Sequence, residues 1–167
     1  MLNLTPQKMP KGRTISAGKD EYHVIEKGVG NRVIFFLHGG GPGCTAWSDF
    51  AVVSDLFAEH YRCVMPDLLQ YGKSSKNVVT GPMWDYHAHS IARLMDNLGV
   101  EKADFICNSW GGTIALRFAS LYQERAHSLT ITGSMPVFYG PLWPLPENGR
   151  KGRNARDIYY GGEGPSL

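Results

Sequence analysis

The sequence predicts an α/β fold, a mainly parallel sheet with helices on its flanks. Short apolar runs alternate along the chain with amphipathic stretches of helical period. Several runs are nearly continuous in apolar character, as strands covered on both faces are. Strands separated by helices need crossover connections, which are right-handed and leave the joined strands parallel. A length of 167 residues suits one compact domain.

Taken in order, residues 1–20 are polar, broken by Pro and Gly, and read as a loose N-terminal segment. Tyr22–Ile25 is a short strand, and Arg32–His38 (RVIFFLH) is a stronger one that ends at the glycines of Gly39–Gly43. Trp47–Glu59 reads as a helix. Tyr61–Met65 (YRCVM) is the next strand, closed by Pro66 and a turn-rich stretch to Ser75. Trp84, Ala88, Ile91, Met95 and Leu98 then recur at alternating steps of four and three, one apolar stripe of a 3.6-residue period. Gly99 stops that helix. Ala103–Cys107 (ADFIC) is a strand, Trp110–Tyr122 a helix and Ser128–Thr132 (SLTIT) a strand. Residues 21–134 therefore form the α/β core. From Met135 the character changes: Pro136, Pro141, Pro144 and Pro146 precede a basic run over 149–156, and 135–167 read as the start of an inserted segment.

Composition narrows the function. Apolar residues make up 43% and charged residues 19% of the chain, with a net charge of +2. Near balance gives no reason to invoke nucleic acid. The longest apolar run, Val33–Leu37, is far below the ~20 residues of a membrane helix. The N-terminus has no uninterrupted apolar targeting core. Three cysteines, Cys44, Cys63 and Cys107, cannot close a disulfide set, which points to a reducing, cytoplasmic setting. No His/Cys/Asp cluster has zinc spacing, so neither metal nor cofactor is expected.

Chemistry centres on Ser109. The strand Ala103–Cys107 runs straight into Asn108-Ser109-Trp110-Gly111-Gly112 and a helix. A serine on so tight a turn is forced toward positive φ, which strains it and projects Oγ clear of the sheet. The Trp110 N–H can then face the oxygen of an attacked carbonyl. Gly111 provides the small residue that close packing needs after the serine, while Cys107 stands where glycine is commonest before it. The competing reading is an ordinary helix N-cap. Two other segments weigh against that reading. His38-Gly39-Gly40-Gly41-Pro42-Gly43 follows the strongest strand and leaves backbone N–H groups uncovered, with Gly40 as the expected second oxyanion donor. A plain turn or a phosphate loop would be the alternative, but the G-x-G-x-x-G and P-loop patterns are missing. Asp67, in the turn Asp67–Ser74, is expected to bond loop amides rather than to act as catalytic acid.

HGGGPG followed by Trp47-Ser48-Asp49-Phe50, the D-x-x-x-Y-G-x-S turn from Asp67, and Asn108-Ser109-Trp110-Gly111-Gly112 together resemble the meta-cleavage-product hydrolases. These enzymes of the α/β-hydrolase fold cut a carbon–carbon bond in the dienol-diketones left by ring-opening dioxygenases. The resemblance runs from about Tyr22 to Gly140. It implies the N-terminal part of an α/β-hydrolase fold, truncated at the start of the cap. It also implies that Ser109 is the nucleophile or a base-activated hydroxyl, and that Gly40 and Trp110 donate N–H groups to the oxyanion. Gly39, Gly41 and Asn108 would line the pocket. The substrate would be a small molecule, with no metal or cofactor, no nucleic acid and no membrane; a homo-oligomer stays open. Asp49 stands where the family often has Asn, and Leu69-Gln70 where related hydrolases usually carry Pro-Gly.

In this fold the acid and histidine follow the serine. After Ser109 the sequence offers only His127, in the polar link just before the last strand and so at the wrong end for the active face. Glu124, Glu147, Asp157 and Glu163 are the later acids, none closing a strand. The expectation is a nucleophile-bearing fragment, weak or inactive alone, with Ser128–Thr132 as an exposed edge prone to aggregation. The rival readings are a carboxylesterase or prolyl aminopeptidase on the same fold, a non-catalytic ligand-binding protein, and a fragment without function.

Overall fold

The computed structural model describes residues 8–79 and 81–134. Six strands and three helices follow in the order β1 (Arg13–Ala17), β2 (Asp20–Lys27), β3 (Val33–Leu37), α1 (Ala46–Ala58), β4 (Arg62–Pro66), α2 (Met83–Asn97), β5 (Ala103–Asn108), α3 (Trp110–Leu121) and β6 (Ala126–Thr132). They form one sheet in the order β1-β2-β4-β3-β5-β6. The β4/β3, β3/β5 and β5/β6 pairs are parallel, and the β1/β2 and β2/β4 pairs antiparallel. The mainly parallel core expected from the alternation is present.

Burial follows the pleat. Every residue of β3 is buried, and its side chains alternate between two clusters. Phe35 and Leu37 join Val64, Phe105, Ile91, Leu94 and Phe118 on the side of α2 and α3. Ile34 and Phe36 join Cys63, Met65, Ala46 and Phe50 on the side of α1. The Phe35 and Phe105 rings lie 5.7 Å apart and the Phe105 and Phe118 rings 5.0 Å apart, within the range of favourable aromatic pairs. Helices thus cover both faces, which is why β3 carries no polar alternation.

Helix limits have local causes. Thr45 caps α1: its hydroxyl accepts from Ser48 N–H at 3.1 Å, and the Ser48 hydroxyl accepts from Thr45 N–H at 3.0 Å, a reciprocal box that satisfies two otherwise orphaned donors. Helix α2 begins after Pro82 and ends at Leu98, where Gly99 takes φ +65°, the left-handed conformation that closes helices.

One expectation fails. Within the supposedly loose 1–20, Arg13–Ala17 forms β1, paired antiparallel with β2 from Arg13↔Val24 to Ala17↔Asp20. Only Ile15 and Ala17 turn inward, too short an alternation to announce a strand without its partner. The expected start of a cap at 135–167 lies outside the described residues. Strand β6 pairs with β5 along Ala103–Asn108, and among the described residues its other edge has no strand beside it.

The topology fixes where a site can form. From β3 the chain moves to β4 on one side, then crosses back to β5 on the other. The loops leaving β3 and β5 therefore part at their carboxyl ends and open a crevice there.

Candidate active site

Both loops at that crevice are the ones the sequence singled out. Ser109, between β5 and α3, has φ +48° and ψ −110°, a region costing a non-glycine residue about 1–3 kcal/mol. An ordinary N-cap has extended dihedrals and a side chain that accepts from the first turn. Ser109 has neither, since its hydroxyl makes no capping bond. Its backbone is held instead: Ser109 N–H donates to Thr132 O at 2.7 Å, and Gly112 N–H donates to Ser109 O at 3.0 Å. The residue is half-buried.

The turn closes this tightly because Gly111 has no side chain. A Cβ there would lie 2.1 Å from the Leu37 carbonyl oxygen, closer than any real contact. Gly111 N–H also donates to His38 O at 3.0 Å, which joins the serine turn to the start of the glycine loop. Cys107 is buried against Leu37 on the strand side, and burial pushes its thiol pKa up. It behaves as a small apolar residue.

The glycine loop is oriented by two side chains. Leu68 N–H donates to His38 Nε2 at 2.8 Å, so that nitrogen is unprotonated and Nδ1 carries the hydrogen. His38 Nδ1 donates it to Gly39 O at 2.7 Å. Burial holds the ring pKa below its usual value, so it stays neutral. On the other side of the same residue, Gly39 N–H donates to Asp49 Oδ2 at 2.9 Å. No peptide bond is cis, and in a trans peptide the N–H points opposite to the C=O. Pulling the Gly39 carbonyl toward His38 thus turns the Gly40 N–H the other way. Among the described residues neither the Gly40 nor the Trp110 N–H meets a backbone acceptor outside regular structure.

The two loops touch. A Cβ on Gly40 would lie 3.2 Å from Trp110 Cβ and 2.9 Å from the Tyr71 hydroxyl. Asn108 Nδ2 donates to Asp49 Oδ2 at 3.1 Å, so one carboxylate oxygen serves both loops. A cavity of about 660 Å³ opens beside them, lined by Gly40, Gly41, Cys44, Gln70, Tyr71 and Trp110 among others. Gly39, Asn108 and Ser109 lie next to the lining rather than in it. The Trp84 and Trp110 indoles pack at 4.6 Å. The Tyr71 phenol pKa is raised, first by burial, and the hydroxyl remains a donor. Two touching loops whose Gly40 and Trp110 N–H groups meet no backbone acceptor outside regular structure among the described residues, beside a strained serine, have the makeup to hold a developing negative charge.

Sequence reasoning missed Asp49 and Tyr71 as parts of this arrangement. Asp49 lies in the first turn of α1, and its reach back to Gly39 follows from tertiary packing. Gln70 is the other surprise, at φ +78° in the position where related sequences were expected to carry glycine.

The remaining candidates lie elsewhere. Asp67 accepts from Ala46 N–H at 3.1 Å and Lys73 N–H at 3.0 Å, and pairs with His23 Nδ1 at 2.9 Å, a loop-bonding role as expected. His127 is the second residue of β6, whose far end, Thr132, bonds Ser109. Five residues of strand separate them by about 16 Å. His89 pairs with the Tyr122 hydroxyl, and His87 is buried in α2. All six histidines of the sequence are among the described residues, and none is hydrogen-bonded to Ser109. No group of three or more His, Cys, Asp or Glu among the described residues could hold a metal, and none of their helices is long and apolar enough to cross a membrane.

Comparison with known proteins agrees with this architecture. The model of the alpha/beta hydrolase fold family matches residues 32–163. The chain is 37% identical over 130 residues to a 2-hydroxy-6-oxononadienedioate/2-hydroxy-6-oxononatrienedioate hydrolase of Burkholderia vietnamiensis, covering 77% of this chain and 45% of that protein. It is 34% identical over 138 residues to a 2-hydroxymuconate semialdehyde hydrolase of Pseudomonas sp. (strain CF600), covering 80% and 47%. Among solved structures it resembles the meta-cleavage product hydrolase of Pseudomonas fluorescens IP01, with a TM-score of 0.70, 26% identity, and 74% and 45% of the two chains covered. The 2-hydroxy-6-oxo-6-phenylhexa-2,4-dienoate hydrolase of Rhodococcus sp. strain RHA1 gives 0.68, 26%, 74% and 46%. The chain spans about half the length of the curated relatives it matches.

Proposed function

Because the chain belongs to the alpha/beta hydrolase fold family, we propose that it carries the nucleophile and oxyanion donors of a serine hydrolase that cleaves a carbon–carbon bond in ring-fission, meta-cleavage products. The observation that carries this reading is the dihedral pair of Ser109, φ +48° and ψ −110°, on a turn whose Trp110 packs against Gly40 of the glycine loop. The substrate class comes from the relatives, several of which are named as hydrolases of such dienoates and semialdehydes.

In this mechanism Ser109 Oγ, or a water it activates, adds to the ketone carbon as its proton passes to solvent. The adduct then collapses, the carbon–carbon bond breaks with its electron pair and a proton going to the dienol fragment, and the acid is released, on the serine route after water hydrolyses the acyl-serine. The carbonyl oxygen becomes an oxyanion between the Gly40 and Trp110 N–H groups, where loss of one donor typically costs ~10²–10³ in turnover. Gly41 lines the pocket around that point, with Gly39 and Asn108 next to the lining. The Tyr71 hydroxyl lies close over Gly40. No metal or cofactor enters the proposal. With no histidine bonded to Ser109, these residues alone react slowly; a site lacking a triad member keeps only ~10³–10⁴-fold over water.

The test offers the chain three substrates: a ring-fission dienone followed by loss of its absorbance, a p-nitrophenyl ester and a proline amide. Preferential, Ser109-dependent loss of the dienone supports the reading. Faster turnover of the ester or amide moves the assignment to an esterase or aminopeptidase, and turnover unchanged in Ser109→Ala overturns it.

A further inference from the structure

A second group of ionisable side chains surrounds His23 on β2. The turn Asp67–Ser74 divides it from the Ser109 crevice: Gln70, Tyr71 and Gly72 line the cavity beside Ser109, whereas Lys73 lines another, of about 740 Å³, with Lys8, Lys11, Gly12 and His23. That lining holds three lysines and no carboxylate, and none of the ion pairs among the described residues includes Lys8, Lys11 or Lys73. A cleft lined by one sign of charge draws in the opposite ion. The histidine is fixed in place. Its N–H donates to Ser74 Oγ, its carbonyl accepts from Asp67 N–H and its Nδ1 donates to Asp67 Oδ2, each at 2.9 Å. Asp67 also accepts from Lys73 N–H at 3.0 Å and Ala46 N–H at 3.1 Å, so its carboxylate is engaged by the ring and the loops behind it. With Nδ1 turned to Asp67, Nε2 is the ring nitrogen left for a ligand, and it has no hydrogen-bond partner among the described residues. A Cβ at Gly12 would fall on Nε2, well inside contact distance, so the glycine keeps that nitrogen from being capped.

We propose that this cavity is a binding site for a phosphate monoester: the lysines take the phosphate oxygens, and His23 Nε2 shares a hydrogen with one of them. An imidazole and a phosphate group give up their protons over the same range, so near neutrality that hydrogen is available from either partner. A sulfate ester or a carboxylate, fully ionised there, brings none. Hydrogen bonds to an ionised oxygen are the strong ones. The cavity is larger than a phosphate alone would fill and falls in the range of small-molecule sites, which leaves room for an organic group beside Met9 and Pro10. The site does not involve Ser109, and its ligand is not the carbonyl compound of the reaction proposed above.

The chain is titrated with phenyl phosphate, phenyl sulfate and inorganic phosphate, and binding is read from the imidazole nitrogen resonances of His23 and the amide resonances of Gly12 and Lys73. Phenyl phosphate is expected to bind saturably, to shift the Nε2 resonance, and to bind at least about tenfold tighter than phenyl sulfate. Inorganic phosphate should shift the same resonances at higher concentration. Free phosphate binding as tightly as the ester would overturn the assignment of a monoester. The double variant Lys11→Gln, Lys73→Gln should weaken phenyl phosphate about tenfold and flatten its salt dependence, with an unchanged melting curve showing that the fold is kept. Gly12→Ala should weaken it too, by crowding Nε2. No saturable binding of phenyl phosphate, equal affinity for the sulfate, or affinity unchanged in both variants would each overturn the proposal.

Discussion

The ring of His38 donates to the carbonyl of Gly39 at 2.7 Å while its other nitrogen accepts from Leu68 N–H at 2.8 Å. The tautomer is set by the second bond and the direction of the Gly40 N–H by the first. A buried residue thereby orients the amide proposed as an oxyanion donor. The two bonds can be separated. His38→Asn keeps a short donor near Gly39, whereas His38→Gln keeps only an acceptor near Leu68. Ser109 reactivity should fall about tenfold or more in His38→Gln and substantially less in His38→Asn. Equal losses in both would mean that the ring serves packing alone.

Ser109 stores strain that glycine would release. At φ +48° and ψ −110° a Cβ costs about 1–3 kcal/mol, partly offset by the extra flexibility of an unfolded glycine. Ser109→Gly should therefore raise stability in urea by about 1 kcal/mol, and Ser109→Ala should not. If both variants are equally stable, the turn is not strained.

Acid should destabilise this core through His87. The side chain is buried, Nδ1 has no hydrogen-bond partner among the described residues, and burial pushes its pKa down to about 4. In the unfolded chain it titrates near 6.5. Between those values the unfolded state binds a proton that the folded state refuses, so stability falls as pH drops from 6.5 toward 4. The loss attributable to His87 is roughly 3 kcal/mol at most. His87→Phe should flatten the fall in denaturation midpoint across that window; an unchanged slope would place the acid sensitivity elsewhere.

Much of this was legible in residues alone, for physical reasons that differ by position. Strand β3 shows itself because all five side chains are buried, and α2 because its stripe keeps the helical period. The serine turn is visible because Gly111 has to admit the Leu37 carbonyl, a constraint that leaves a glycine in the sequence. Strand β1 is not, since two inward residues make a pattern only once β2 lies beside them. Asp49 was marked as a departure from a familiar pattern, but its bonds to Gly39 and Asn108 cross 10 and 59 residues of sequence and exist only after β3 and β5 pair. Gln70 was hidden for the opposite reason. Its φ of +78° belongs to a turn built for glycine, and nothing in a glutamine announces it.

The most direct measurement of the central claim is the site of covalent modification by a fluorophosphonate, read by mass spectrometry of the digested chain. A serine raised on a strained turn beside the Gly40 and Trp110 loops should carry the adduct at Ser109 alone, slowly for want of a bonded histidine, and Ser109→Ala should carry none. An adduct on other residues with Ser109 unmodified, or no adduct at any serine after prolonged exposure, would contradict the account.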